Sequence, residues 1–311
     1  MNTYEIQVGI DVSKATLELS SFDRGKTSVP NTTAGLRSLV ARLQKLSESV
    51  MVCCEATGGY ERLLVDTCHA ADIPISVVNA RQVRDFAKSK GILAKTDAID
   101  ARVIADYARQ NNPRLTQKYE PWRKSLKALH IRRDEVKNFM VQERNRLAMI
   151  NDPLIAKCIR QHLSHLEKQL QTLDKQIQHI AETEPVCRDQ CEKLMQVKGF
   201  GLIVATGFLA FLPEIGRVTD NQLVALAGLA PFCQDSGTWK GQRHVSGGRE
   251  RIRNTLYMPA ITTSRFNPIL KEFYQGLIQR GKPSKVALTA VMRKMVCLAN
   301  RIIADPSFVL S

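Results

Sequence analysis

Apolar and polar residues alternate through Glu5-Ile6-Gln7-Val8-Gly9-Ile10-Asp11 and again through Ala15-Thr16-Leu17-Glu18-Leu19-Ser20, either side of Val12-Ser13-Lys14. Period two with a short break predicts a β-hairpin. A third short strand is expected over Thr27 to Val29. Asn31-Thr32-Thr33 then offers helix caps ahead of the amphipathic stretch Leu36, Leu39, Val40, Leu43, Leu46. The run Val50-Met51-Val52-Cys53-Cys54 reads as a buried strand ending at Glu55. Beyond Thr57-Gly58-Gly59 a helix through Leu63, Leu64 and Cys68 leads to the strand Ile73 to Val78. Helices follow from about Arg81 to Lys90 and from Asp97 to Gln110. The order β-β-β-α-β-α-β-α describes a mixed sheet with helices on its faces.

The periodicity then changes. Ile159, Leu163, Leu166, Leu170, Leu173, Ile177 and Ile180 recur at spacings 4-3-4-3-4-3, a heptad seam flanked by Lys, Gln and Glu. A less regular seam, Leu129, Val136, Met140, Leu147 and Ile150, precedes it; Arg133 and Glu143 break its register, and Asn151-Asp152-Pro153 separates the two. This predicts a coiled-coil helical hairpin, packed on itself or used for dimerisation. The remainder is helical with glycine interruptions. Val197-Lys198-Gly199-Phe200-Gly201 has the shape of a helix-hairpin-helix turn, whose glycines let backbone N–H groups approach a phosphate. A second Gly-rich loop runs from Ser236-Gly237 through Lys240 and Gly241 to Ser246-Gly247-Gly248. The expected architecture is α/β plus α in three parts: a mixed-sheet domain over 1–115, the hairpin over 116–184 and a mainly helical domain over 185–311.

Composition narrows the function classes. At 311 residues and 44% hydrophobic content the chain has enough apolar material for several cores, which excludes disorder as its dominant state. No apolar run approaches the ~20 residues needed to cross a bilayer, and Met1 to Glu5 lacks a secretory pattern, so a soluble, unexported protein is expected. The eight cysteines are scattered, and neither Cys187-x-x-x-Cys191 nor Cys158-x-x-x-His162-x-x-His165 supplies the paired clusters of a structural zinc site. They read as reduced thiols, with His162 and His165 on the wet flank of a helix.

Net charge is +15, unevenly spread. Residues 1–111 carry 14 basic and 13 acidic side chains, 112–184 carry 14 and 9, and 185–311 carry 17 and 8. Within 240–301 there are 13 basic residues against 2 acidic. A polyanionic partner is implied, held chiefly by the C-terminal part. Lys198, Gly199, Gly201, Lys240, Arg243, Arg249, Arg251 and Arg253 are the candidate phosphate contacts.

The nearly neutral first region holds acidic residues at suggestive places. Asp11 ends the first strand, Glu55 ends the core strand, and Asp97 and Asp100, three apart at a helix start, share one face. Singly, Asp11 and Glu55 fit turn residues, and Asp97 fits a helix cap after Thr96. Together, four carboxylates would repel one another unless cations neutralised them. Hard oxygen donors suit Mg²⁺, with Mn²⁺ as a substitute, and a two-ion site suits phosphodiester chemistry.

The blocks Gly9-Ile10-Asp11-Val12-Ser13-Lys14, Glu55-Ala56-Thr57-Gly58-Gly59-Tyr60 and Lys95-Thr96-Asp97-Ala98-Ile99-Asp100-Ala101 resemble the signatures of the DEDD transposases of bacterial insertion sequences, relatives of the Piv-type DNA invertases. Val197-Lys198-Gly199-Phe200-Gly201, Leu226-Ala227-Gly228-Leu229-Ala230-Pro231, Ser236-Gly237 and Leu256-Tyr257-Met258-Pro259-Ala260 continue the resemblance in order. It covers nearly the whole chain. The resemblance implies a RuvC-like, ribonuclease-H-type domain with Asp11, Glu55, Asp97 and Asp100 as its acidic tetrad, and Ser236 as a nucleophile forming a phosphoserine link to DNA. It also implies an element-encoded guide RNA, a homodimer or homotetramer with a site shared between protomers, and a bacterial cytoplasmic, nucleoid-associated location. Loop chemistry alone does not choose Ser236 over Ser246, and Gly247 departs from the Lys that commonly follows the latter position in the family. Two alternatives stand beside this reading: a junction-resolving endonuclease that uses water as nucleophile, and a non-catalytic nucleic-acid-binding protein.

Overall fold

The computed structural model describes residues 4–20, 27–46, 49–92, 94, 96–232, 235–236, 239–240, 244–305 and 307–308. The chain divides into two compact units, 1–118 and 119–311.

The first unit contains β1 (Ile6–Val12), β2 (Thr16–Leu19), β3 (Ser28–Pro30), α1 (Thr33–Leu43), β4 (Val50–Glu55), α2 (Arg62–Ala70), β5 (Ile75–Val78), α3 (Ala80–Ser89) and α4 (Asp97–Asn111). Its sheet runs β3-β2-β1-β4-β5. The hairpin strands pair antiparallel, while β4 lies parallel to both β1 and β5. The expected element order is therefore present, with β3 one residue later than predicted. Strand β5 starts after Pro74, which has no N–H to donate, although its carbonyl still accepts from Val52 N at 2.8 Å.

Strand parity divides the core in two. Val8, Ile10, Val12, Val52 and Cys54 point to one face and cluster with Leu36 and Leu39 of α1 and Leu64 and Cys68 of α2. Met51 and Cys53 point to the other and cluster with Val83 of α3 and Val103, Ile104 and Ala108 of α4. Gly9 lies beneath α4: a Cβ there would collide with the Ala101 carbonyl and the Ala105 nitrogen. Only glycine lets this helix lie so close to β1.

The second unit opens with α5 (Pro121–Leu147) and α6 (Pro153–Thr183), followed by α7 (Pro185–Met195), α8 (Leu202–Phe211) and α9 (Asp220–Leu226). Short strands β6 (Pro231–Phe232), β7 (Asp235–Ser236), β8 (Trp239–Lys240) and β9 (His244–Val245) lead to α10 (Glu250–Phe266), α11 (Pro268–Gln279) and α12 (Ser284–Ala304). Helices α5 and α6 pack on each other as an antiparallel pair through Val136, Met140, Leu163 and Leu166. The seam is thus used within the chain. Arg133, which interrupts the apolar register, reaches Asp174 across the pair at 2.6 Å, and Glu143 lies within 2.7 Å of Arg146 and 3.4 Å of His162. His162 and His165 are exposed, as expected. The far end of the seam, Ile177 and Ile180, joins Ala181, Trp122, Leu126 and the apolar α8 in the unit's main core.

The segment expected as a Gly-rich loop contains strands instead. β6 pairs with β9 and β7 with β8, both antiparallel. Phe232, Trp239 and Val245 favour extended backbone, which outweighs the surrounding glycines.

Among the described residues no helix is long and apolar enough to cross a membrane.

Candidate active site

The register of β1 on β4 places Gly9 opposite Cys53 and Ile10 opposite Cys54, so the next residues, Asp11 and Glu55, stand level on adjacent strands. Both have the parity of Gly9 and Cys53, and so lie on the face that α4 covers. Helix α4 runs against β1: Tyr107 and Ala108 near its end cluster with Tyr4 at the strand's start. Its first turn, with Asp97 and Asp100, therefore points to the strand end that carries Asp11.

Thr96 caps α4, its hydroxyl accepting from Ile99 N at 3.3 Å. The cap is therefore supplied without Asp97. Both aspartates lie in the first turn, where the helix dipole favours negative charge. Glu55 also makes itself felt electrostatically: the Cys53 thiol is pushed up to about 12, first by burial and then by the Glu55 carboxylate. Among the described residues no three His, Cys, Asp or Glu side chains are drawn into a ready-made metal cage. What the fold supplies is all-oxygen donors at two level strand ends and one helix start.

Two side chains brace this edge. Asn31 Nδ2 donates to Ser13 O at 2.9 Å and to Tyr60 O at 3.2 Å, tying the turn after Asp11 to the loop after Glu55. Its Oδ1 is buried and has no hydrogen-bond partner among the described residues. Glu61 Oε2 accepts from Thr57 Oγ1 at 2.7 Å, Gly59 N at 2.8 Å and Thr57 N at 3.2 Å. Burial alone would raise the Glu61 pKa, but these hydrogen bonds lower it below the ordinary carboxylate value. Tyr60 is half exposed beside them.

In the second unit, Ser236 lies on β7, its backbone paired with Trp239; Arg243 lies outside the described residues. Lys240 is opposite Asp235 on β8. Gly199 adopts φ +102° between α7 and α8, and a Cβ would strike the Thr263 methyl, so glycine is needed there for packing as well as for conformation. Gly201 caps α8 with no side-chain hydrogen bond and has open space around it. Lys198 and Arg251 are exposed. Arg249 points inward: both terminal nitrogens reach Glu214 at 2.6 Å, and Nη1 also donates to Phe211 O at 2.9 Å. Arg253 donates to Ala227 O at 3.2 Å and Gly247 O at 2.5 Å, holding the two glycine turns together.

Residues 8–150 match a DEDD transposase family of the IS110 type, and residues 191–275 match the transposase IS116/IS110/IS902 family. The chain belongs to the DEDD transposase family. It is 26% identical over 307 residues to the pilin gene-inverting protein of Moraxella lacunata, covering 95% of each chain, and 27% identical over the same length to that of Moraxella bovis. It is also 23% identical over 157 residues to an insertion element IS110 protein of Streptomyces coelicolor, covering 50% of this chain and 38% of that one.

Within this DEDD family member, the sequence points to Asp11 and Glu55 near strand ends but not to the side chains that brace that edge of the sheet. Asn31 is expected as a helix cap, yet Thr32 accepts from Gly35 N and takes that role, leaving Asn31 to link the loops. Arg249 had a signal that was available: Glu214 lies in the apolar stretch Phe208 to Ile215, where a buried carboxylate requires a cation.

Proposed function

We propose that this chain is a DNA transposase or recombinase that cuts and rejoins strands through a phosphoserine at Ser236, with Asp11, Glu55, Asp97 and Asp100 holding Mg²⁺. The observation that carries the reading is the level placement of Asp11 and Glu55 on the face covered by α4. The sheet order, with the antiparallel β2 between β3 and β1 and with β4 and β5 parallel to β1, supports a ribonuclease-H-type catalytic domain. When bound, the metal would act as a Lewis acid at the scissile phosphate. Ser236 Oγ forms a new P–O bond to that phosphate, losing its proton, and a bridging P–O bond to a deoxyribose oxygen breaks; that oxygen leaves as a protonated hydroxyl. One phosphodiester replaces another, so rejoining needs no ATP.

The basic excess of the second unit supports backbone contact with DNA and with a structured RNA that would supply the sequence reading, since phosphate contacts position without specifying. Strand exchange joins two duplexes, so the working form is a dimer or tetramer.

The test is a denaturing gel with end-labelled DNA. The parent should carry a covalent protein–DNA adduct; Ser236→Ala should lose adduct and cleavage, and Asp11→Asn should lower cleavage by about 10³-fold while binding persists. Undiminished cleavage by Ser236→Ala, with no adduct in the parent, would mean that water is the nucleophile. Undiminished activity in Asp11→Asn would sink the metal role.

A further inference from the structure

Helices α10, α11 and α12 enclose an open cleft of about 470 Å³, lined by Ser264, Arg265, Lys271, Tyr274, Gln275 and Leu288 among others. Arg265 and Lys271 are exposed, and among the described residues neither enters an ion pair, in contrast to Arg249 and Arg301, which pair with Glu214 and Asp220. Among the described residues no carboxylate lines the cleft. Two cations without a counter-charge call for an anionic ligand. The remaining wall is of another kind: Leu288 is buried, Ile261 and Tyr274 are partly buried against the unit's core, and the Gln275 amide is exposed. An anion site joined to an apolar and aromatic wall, with an amide to read a polar edge, has the chemistry of a nucleotide. The volume falls within the roughly 300–1,000 Å³ typical of small-ligand sites, and a concave space of this size cannot admit a base while it remains stacked in a duplex.

We infer that this cleft takes an unpaired nucleotide of a nucleic-acid strand, its phosphate on Arg265 and Lys271 and its base against Tyr274 and Leu288. The inference rests on the nucleic-acid reading above. It adds a place where a strand leaves its helix. The basic excess of the segment, 13 basic residues to 2 acidic within 240–301, would draw a strand toward this unit.

The experiment uses the full chain with single-stranded oligonucleotides, ribo- and deoxyribo-, each carrying one 5-iodouracil. After irradiation and trypsin digestion, the crosslink should fall on the peptide Glu272–Arg280, which contains Tyr274. Replacing both cations (Arg265→Gln with Lys271→Gln) should weaken single-strand affinity about tenfold and reduce the salt slope by about 1.4, two phosphate contacts' worth, with duplex affinity little changed. Both changes are at exposed positions, so folding should be unaffected. A crosslink in either series supports the cleft, and the tighter series identifies the strand. Crosslinks confined to other peptides, with unchanged affinity and slope in the double variant, would overturn the cleft alone. Failure of the parent to bind any of these strands or duplex DNA would overturn the nucleic-acid reading with it.

Discussion

In the unit spanning 1–118 the residues singled out by the sequence are carboxylates at two strand ends and a helix start, whereas in 119–311 they are, besides Ser236, Gly199 and Gly201, basic residues, and some of these turn inward. Asp11 and Glu55 are placed by strand parity and pairing, which follow from the alternation of apolar residues. No comparable rule says which way an arginine points. Arg123 is buried with its guanidinium on Leu209 O, Gln190 and Glu120, and Arg133 and Arg249 hold Asp174 and Glu214. A positive excess thus mixes cations that attract a polyanion with cations that tie helices together. The cations that remain exposed, among them Arg251, Arg265 and Lys271, are the ones the charge argument concerns.

The sharpest way to break this contrast is Arg249→Met. Glu214 is only 9% exposed, and the substitution removes both guanidinium contacts to its carboxylate, close to the Phe211 carbonyl. We expect a loss of about 3 kcal/mol in urea unfolding, largely recovered when Glu214→Leu is added, because a matched apolar pair removes the buried charge. The double variant should keep its affinity for duplex DNA. A fall of about 0.9 in its salt slope would instead return Arg249 to the phosphate surface.

The same contrast explains what was legible in the sequence. The element order, the helical hairpin and the placing of Asp11 and Glu55 near strand ends follow from periodicities that act over a few residues, whereas the strand order and the register that levels the two carboxylates come from pairing between distant segments. The roles of Asn31, Arg249 and Arg253 depend on partners up to 38 residues away, which only the folded chain brings near. The seam-breaking Arg133 and Glu143 show this within one helix: they look like faults in a heptad, but Arg133 meets Asp174 of the facing helix, and Glu143 pairs with Arg146 of its own helix and lies 3.4 Å from His162 of the facing one. The β7–β8 pair was missed because its glycines suggested a loop while its strand formers are few.

His130 carries the comparison into the core of the second unit. It is 2% exposed, its Nε2 lies 3.0 Å from Thr206 Oγ1, and its ring meets Phe211 edge-on. The Thr206 hydroxyl donates to Leu202 O, so the imidazole N–H is the donor to Thr206. Burial, then Arg133, lowers its pKa from 6.5 to about 4. The unfolded chain takes up this proton first, so the stability contributed by neutral His130 is full above 6.5 and is lost as the pH falls toward 4. Between pH 7.5 and 5 the loss should be about 2 kcal/mol, read from Trp fluorescence because Trp122 and Trp239 both belong to this unit. His130→Gln should flatten that dependence; an unchanged slope would exclude His130 as its source.

The smallest effect on stability should accompany the most specific effect on chemistry, at Asn31. Its amide holds Ser13 O and Tyr60 O, both at the partly exposed edge of the sheet, where water can replace it; Asn31→Ala should therefore cost only about 1 kcal/mol. Those carbonyls belong to the segments that follow Asp11 and Glu55, so losing the tie lets the two strand ends move independently. A metal held by both carboxylates would feel this directly. Under the proposed mechanism the Mg²⁺ concentration for half-maximal cleavage should rise about tenfold, as when an outer-shell partner of a metal ligand is removed. Saturating Mg²⁺ should then restore most of the rate, whereas no added metal should rescue Asp11→Asn. If Asn31→Ala instead lowers cleavage equally at every Mg²⁺ concentration, the brace acts on something other than the carboxylates, and the level pairing of Asp11 and Glu55 is maintained by the β1–β4 ladder alone.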